Sequence, residues 1–260
     1  MMELIKTLVI DGYGSLNKLY PYNLEWVHGG DWKNLYKNTN KFVNIFKING
    51  FKLVFMFDGN VTNKKRNTWI SRKKKDIKKR DNLYKTLRQG KNPVKSMRQI
   101  PTGTGLMLRM ILKSLGVEVY TTIGEADQQI ACYCQRHGCY GILAEDSDFL
   151  AMFSKCGLPI RYFSLQHLKF IDNKIKTVLY NQIKLKNELN LKNSLLPLFA
   201  TLSGNDFISA NKLRKFHSKL LKNKVKKSDR HQVFKLVSDY LVNLYSNNSN
   251  TSDILANVLE

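Results

Sequence analysis

Apolar and polar positions along the first 165 residues fall into blocks that alternate between short apolar runs and helical periodicity. The runs at 6–10, 51–57 (FKLVFMF), 117–122 (VEVYTT), 140–144 (YGILA) and 161–165 (RYFSL) have the length and β-branched or aromatic content of strands. Between the first two, Leu35, Phe42, Val43 and Phe46 share one face of a predicted helix from Trp32 to Ile48, which Asn49 and Gly50 end as a C-cap pair. A second helix is predicted from about Gly105 to Leu115, and a third begins near Glu125 in GEADQQIACYCQRH. This β-α-β-α order predicts an α/β fold, a mainly parallel sheet flanked by helices. Beyond residue 180 the pattern becomes helix and polar loop. NSLLPLFATLS reads as a short apolar helix leading into Gly204, Asn205 and Asp206, 219–232 as a solvated basic run, and 233–245 as an amphipathic helix. A polar spacer follows, and the sequence stops at Glu260 inside another apolar-patterned segment, which reads as a truncated end. No internal repeat is evident.

A chain of 260 residues, 43% hydrophobic, is long enough for one sizeable core and a small appended element. No apolar run approaches the roughly 18 residues of a membrane span, and the opening MMELIKTLVIDGYG has too short an apolar core for a signal peptide and reads as a first strand. A soluble, intracellular protein with no membrane partner is expected. The four cysteines are Cys132, Cys134, Cys139 and Cys156, and with His137 among the first three they lack the spacing of zinc pairs. Reduced thiols in a reducing compartment are the simpler reading.

Charge changes the picture. Lys and Arg number 43 against 20 acidic residues, a net +23. Such a balance points to a polyanion, nucleic acid above all, against the plainer alternative of a Lys- and Asn-rich solubilising surface. The charge is also concentrated: residues 64–98 carry 15 basic residues against Asp76 and Asp81. Interleaved Trp69, Ile70, Ile77, Leu83, Tyr84 and Leu87 allow helices with one apolar face, hence a basic arch that grips a single strand, with aromatics available for stacking. A disordered basic loop or a localisation signal is the alternative.

The candidate chemistry lies in carboxylates set against apolar segments. In ILAEDSDFLAMF (142–153), Glu145, Asp146 and Asp148 interrupt two apolar runs, and the two-residue spacing directs Asp146 and Asp148 to one side of an extended segment. Asp11 and Asp58 end two other strands, Glu125 and Asp127 open a helix, and Asp206 follows Gly204-Asn205. Taken alone, the helix pair is also plain N-capping and Asp206 ordinary turn chemistry. As a set of seven they predict a carboxylate-lined crevice at the carboxyl edge of a parallel sheet. Buried carboxylates require neutralisation, and oxygen donors suit Mg²⁺ or Mn²⁺. Two ions about 4 Å apart would activate water and stabilise charge on an attacked phosphate. There is no phosphate-binding G-x-x-x-x-G-K-[ST] motif, so ATP use is not expected.

VIDGYGSLNKLY, YNLEWVHGGDW, FDGN followed by basic residues, GEADQQIA, LAEDSDF and LLPLFATLSGNDF, spread over about residues 6–210, resemble the flap-endonuclease/XPG (PIN-like) superfamily of metal-dependent, structure-specific nucleases, and more closely its asteroid-homologue branch. The resemblance implies a PIN-like fold divided into an N-terminal nuclease region (1–60), a basic helical arch (61–102), an internal nuclease region (103–210) and a helical extension (211–260). It implies metal-ligand roles for Asp11, Asp58, Glu125, Asp127, Asp146, Asp148 and Asp206. Lys65 and Arg72, seven and fourteen residues past Asp58, would hold the scissile phosphate. Lys64, Arg66, Lys73, Lys74, Lys75, Lys78, Lys79 and Arg80 would line the DNA path. The family's Met-Gly-Ile-x-Gly-Leu opening is replaced by MMELIKT, and no Gly-x-Gly helix-hairpin follows Asp206. Single-stranded, overhang or branched DNA is therefore the expected substrate of a monomeric nuclear repair endonuclease. The alternative is a non-catalytic nucleic-acid-binding scaffold of the same fold.

Overall fold

The two most apolar runs become the centre of the sheet. In the computed structural model, which describes residues 6–146, 149, 161–205, 208–224, 226 and 229–247, β1 (Lys6–Asp11) pairs in parallel with β2 (Phe51–Phe57) on one side and β4 (Gly141–Ala144) on the other. β3 (Glu118–Thr121) adds in parallel outside β2, and β5 (Tyr162–Ser164) outside β4. β8 (Leu179–Tyr180) closes that edge antiparallel to β5, so the order is β3-β2-β1-β4-β5-β8. The expected α/β class and mainly parallel sheet are thus present. β6 (Lys169–Ile171) and β7 (Lys174–Lys176) form a separate hairpin whose turn residues Asp172 and Asn173 have φ of 49° and 58°. That is the conformation favoured in two-residue hairpin turns.

Strands covered on both faces need apolar side chains on both. Leu8, Ile10, Leu53, Phe55 and Phe57 pack with Leu35, Phe42, Val43 and Phe46 of α2 (Trp32–Ile48) and with Leu108 and Leu112 of α4 (Thr104–Ser114). The alternate residues Val9, Val54 and Met56 turn to the opposite face, where α5 (Ala126–His137) packs on β1, β2 and β4. A one-turn α1 (Leu16–Leu19) follows β1, and Asp31 caps α2 by accepting a hydrogen bond from the Asn34 amide at 3.2 Å. The chain runs outward from β1 to β2 and β3, then returns to the far side of β1 as β4. The topological switch point therefore lies between β1 and β4, where α/β sheets open a crevice at their carboxyl ends.

Between β2 and α4 stands α3 (Arg66–Arg88), entered through a 3₁₀ turn, Asn63–Lys65. Its 23 residues form one uninterrupted helix about 35 Å long. Leu83 is its one buried side chain. The helix is held at its middle, where Arg80 Nε donates to Gln99 Oε1 at 2.9 Å and Gln99 Nε2 donates to the Asp76 carbonyl at 3.3 Å. Arg98 donates to the Tyr20 carbonyl and stacks over the Tyr22 ring at 4.2 Å, tying that segment to the chain that follows α1.

Residues 1–146 and 160–180 make up one compact unit, and 147–159 with 181–260 the other. The described part of the second unit is helical: α6 (Gln182–Glu188), α7 (Leu196–Ser203), α8 (Arg214–Leu221) and α9 (Arg230–Asn247). Its core is Leu191, Leu195, Leu196, Leu202, Val233, Val237 and Leu241, and the buried His217 ring pairs with the Leu202 carbonyl at 2.7 Å. Among the described residues, no helix is long and apolar enough to cross a membrane.

Candidate active site

Asp11, Asp58 and Asp146 follow from the ends of three adjacent strands, β1, β2 and β4, at the switch point of the sheet. Asp11 is the last residue of β1, and its Oδ1 accepts the Gly14 amide at 3.0 Å. Burial, followed by repulsion from Asp58 and Asp146, raises its pKa from 3.8 to about 6, against the opposing Gly14 hydrogen bond.

Asp58 leaves β2 and caps a helix from outside. Its Oδ1 accepts the Ala126 amide at 2.6 Å, so the first turn of α5 is satisfied by a residue 68 positions away. Glu125, at the cap position itself, makes no capping hydrogen bond with its side chain. Local N-capping therefore does not account for Glu125. The two loops are stapled by backbone: Gly59 N donates to Gly124 O at 2.9 Å, Asn60 N to Ile123 O at 3.0 Å, and Thr122 N to Phe57 O at 3.0 Å. A Cβ on Gly59 would lie 1.7 Å from the Thr122 carbonyl oxygen, so only glycine allows this approach.

The staple brings Glu125 to Lys65, whose Nζ lies 2.7 Å from Glu125 Oε2. The sequence placed one as a metal ligand and the other against phosphate, and here they pair with each other. In the first turn of α5, Asp127 is raised from 3.8 to about 7 by burial first, then by Asp146, Asp11 and Asp58, with Lys65 opposing. Asp11, Asp58, Asp127 and Asp146 therefore share one electrostatic environment, with the Lys65 ammonium at its margin.

Glu145 stands apart from that group. Burial raises its pKa, and Lys18 of α1 opposes the shift. Lys18 donates to the Leu168 carbonyl and is itself lowered by burial and by Lys169. Tyr162 donates to the Ala144 carbonyl at 3.3 Å, and its pKa is raised by burial and then by Asp146. Lys18 falls inside the VIDGYGSLNKLY segment and Tyr162 inside the fifth apolar run, but nothing in residue type or spacing singles out either side chain.

Asp148 and Asp206 lie outside the described residues. Among the described residues, no three His, Cys, Asp or Glu side chains gather around one ion position. The donor chemistry nonetheless fits a hard divalent cation: every group is a carboxylate, and Asp11 and Asp127 are half-buried at a cost that positive charge would relieve.

The predicted DNA-path residues lie on α3 or just before it. Arg66, Arg72, Lys73, Lys74, Lys75, Lys78 and Lys79 are exposed, Lys73 lies 5.6 Å from the centre of the Trp69 ring, and Arg80 is engaged with Gln99. The side chain of Lys64 lies outside what is described. Arg72 follows Lys65 by about two helical turns.

Residues 116–206 match the XPG I-region family model, and residues 189–260 match the FAM120A-like domain. The chain is 32% identical over 258 residues to the constitutive coactivator of peroxisome proliferator-activated receptor gamma of Mus musculus, covering 96% of this chain and 32% of that protein. It is 30% identical over 222 residues to the single-strand DNA endonuclease ASTE1 of Danio rerio, covering 82% of this chain and 30% of the relative. The chain thus spans about a third of the length of these curated relatives. Two solved structures share the fold. The catalytic core of Rad2 in complex with DNA substrate has a TM-score of 0.50 at 17% identity, over 92% of this chain and 71% of that one. Flap endonuclease-1 from Methanococcus jannaschii has a TM-score of 0.52 at 16% identity, over 90% and 78%. The I-region match, these relatives and the shared fold agree with the strand-end carboxylates: the chain belongs to the XPG/PIN-like nuclease superfamily.

Proposed function

We propose that this chain is a divalent-metal-dependent endonuclease that hydrolyses phosphodiester bonds in single-stranded, overhang or branched DNA, acting as a monomer in nuclear DNA repair. The observation that carries the reading is the delivery of Asp11, Asp58, Asp127 and Asp146, from three adjacent parallel strands and one helix start, into a shared electrostatic environment. These four, with Glu125, Asp148 and Asp206, would hold Mg²⁺ or Mn²⁺, as one ion or two. Bound there, the metal supplies Lewis-acid polarisation of phosphate and a water of lowered pKa. The chain's own residues do the rest. Lys65, anchored on Glu125, and Arg72 further along α3 would hold the phosphate oxygens, and the exposed cations of α3 would track the backbone of a single strand. The relative named as a single-strand DNA endonuclease supports DNA as the substrate.

A second reading, a non-catalytic nucleic-acid-binding scaffold, is favoured by one observation: relatives at 32% and 35% identity are named as coactivators. Turnover of labelled single-stranded DNA and RNA, in Mg²⁺ and in EDTA, separates the two. The endonuclease reading expects the native protein to cut DNA only with Mg²⁺, and folded Asp146→Ala to bind without cutting. Binding without turnover by both proteins selects the scaffold, and turnover by Asp146→Ala rejects the site.

A further inference from the structure

We propose that Tyr13 is the stacking platform for an unpaired base beside the phosphate to be cut, a role that rests on reading the carboxylate edge as a DNA-cutting site. Tyr13 lies in the loop that leaves β1, two residues after Asp11 and next to Gly14, whose amide donates to Asp11 Oδ1 at 3.0 Å. That hydrogen bond closes the turn that carries Tyr13 beside the group that would meet the phosphate. Its ring has two close neighbours. It meets the Phe57 ring at a centroid distance of 5.4 Å and an interplanar angle of 85°. The first turn of α4 also approaches it, so that a Cβ on Gly105 would come 2.8 Å from Tyr13 Cε1. Glycine at 105 lets the helix close on the ring.

Despite this clamping, Tyr13 remains 39% exposed, while its neighbour Phe57 is fully buried. An aromatic ring that is immobilised yet open to solvent loses little further entropy when a planar ligand stacks on it. The local charge favours a nucleobase over an anionic group. Asp11 and Asp58 repel phosphate unless a cation is bound, whereas a neutral base meets no such repulsion. Every base offers a π-face, so stacking here tolerates any sequence. A base inside a duplex is already stacked on both sides, so the platform takes a base from a single strand or a splayed end.

The test uses single-stranded oligonucleotides that each carry one 2-aminopurine, the label moved stepwise along the strand, with Ca²⁺ replacing Mg²⁺ to hold back cleavage. Native protein and Tyr13→Phe should quench one label position and bind alike. Tyr13→Leu and Tyr13→Met, which keep an apolar side chain against Phe57, should abolish that quenching and bind roughly five- to 150-fold more weakly. Their melting temperatures should match the native protein, and either folded variant suffices. Unchanged quenching and affinity in a folded Leu or Met variant overturns the stacking role alone. A native protein that binds none of the oligonucleotides overturns the DNA-cutting reading and the stacking role with it.

Discussion

At the carboxyl edge of the sheet, anionic side chains are buried close enough to hold Asp11 at about 6 and Asp127 at about 7. Along α3, ten cations and two anions stand on a helix with one buried side chain. The first region concentrates negative charge where water is scarce, and its geometry depends on backbone staples between distant segments. The second concentrates positive charge in full solvent, where pairs such as Lys74–Lys78 and Lys75–Lys79 repel at helical i,i+4 spacing. Neither arrangement is favourable for the chain alone. A small hard cation relieves the first and a polyanion the second, and a metal-bound phosphodiester presents both. The difference is in how each fails: the carboxylate edge should fail through the fold, the helix through the ligand.

The largest expected effect breaks the first region through its backbone. Gly59→Ala places a Cβ against the Thr122 carbonyl, and overpacking of that kind costs about 3 kcal/mol. Urea unfolding should show the destabilisation, with cleavage reduced even where the variant remains folded, because Asp58 and Glu125 separate. The next sharpens the contrast. Replacing Lys74, Lys75, Lys78 and Lys79 together by Glu should leave the melting temperature unchanged or raised. Single-strand affinity should fall, and the slope of log affinity against log salt should become shallower by about 0.7 for each phosphate that the helix no longer neutralises.

A third effect follows from protonation. Asp127 is raised from 3.8 to about 7 and Asp11 to about 6, so the metal-free folded state holds these protons more tightly than the unfolded chain. The stability they contribute is complete below about pH 4 and is lost as pH rises through 6 to 7. Thermal melts in EDTA between pH 4.5 and 8 should show this decline. Asp127→Asn should flatten it.

Much of the frame is legible in the pattern: α2 runs Trp32–Ile48 and β2 Phe51–Phe57, as the apolar spacing predicts. β6, β7, β8 and α6 were not legible. They are two to seven residues long, too short to show a period, and β6, β7 and α6 also carry lysines that break the apolar pattern. The basic segment, expected as helices, forms one continuous helix over Arg66–Arg88, because four consecutive cations (Arg72–Lys75) do not interrupt a helix as Gly or Pro would. At the site, Asp11 and Asp58 were readable as strand ends. The Asp58 cap on α5 and the Lys65–Glu125 pair were not, since each joins segments about 60 residues apart through the Gly59 staple.

The central claim is that the carboxylate edge is a site for a hard divalent cation, and the most direct measurement is the melting temperature at pH 7.5 as Mn²⁺ is titrated into EDTA-stripped protein. The native protein should gain stability by about 2.7 kcal/mol once the ion reaches a hundred times its dissociation constant. Asp127→Asn should start higher without metal and gain much less. A native melting temperature that does not move with Mn²⁺, or an equal rise in Asp127→Asn, would contradict the claim.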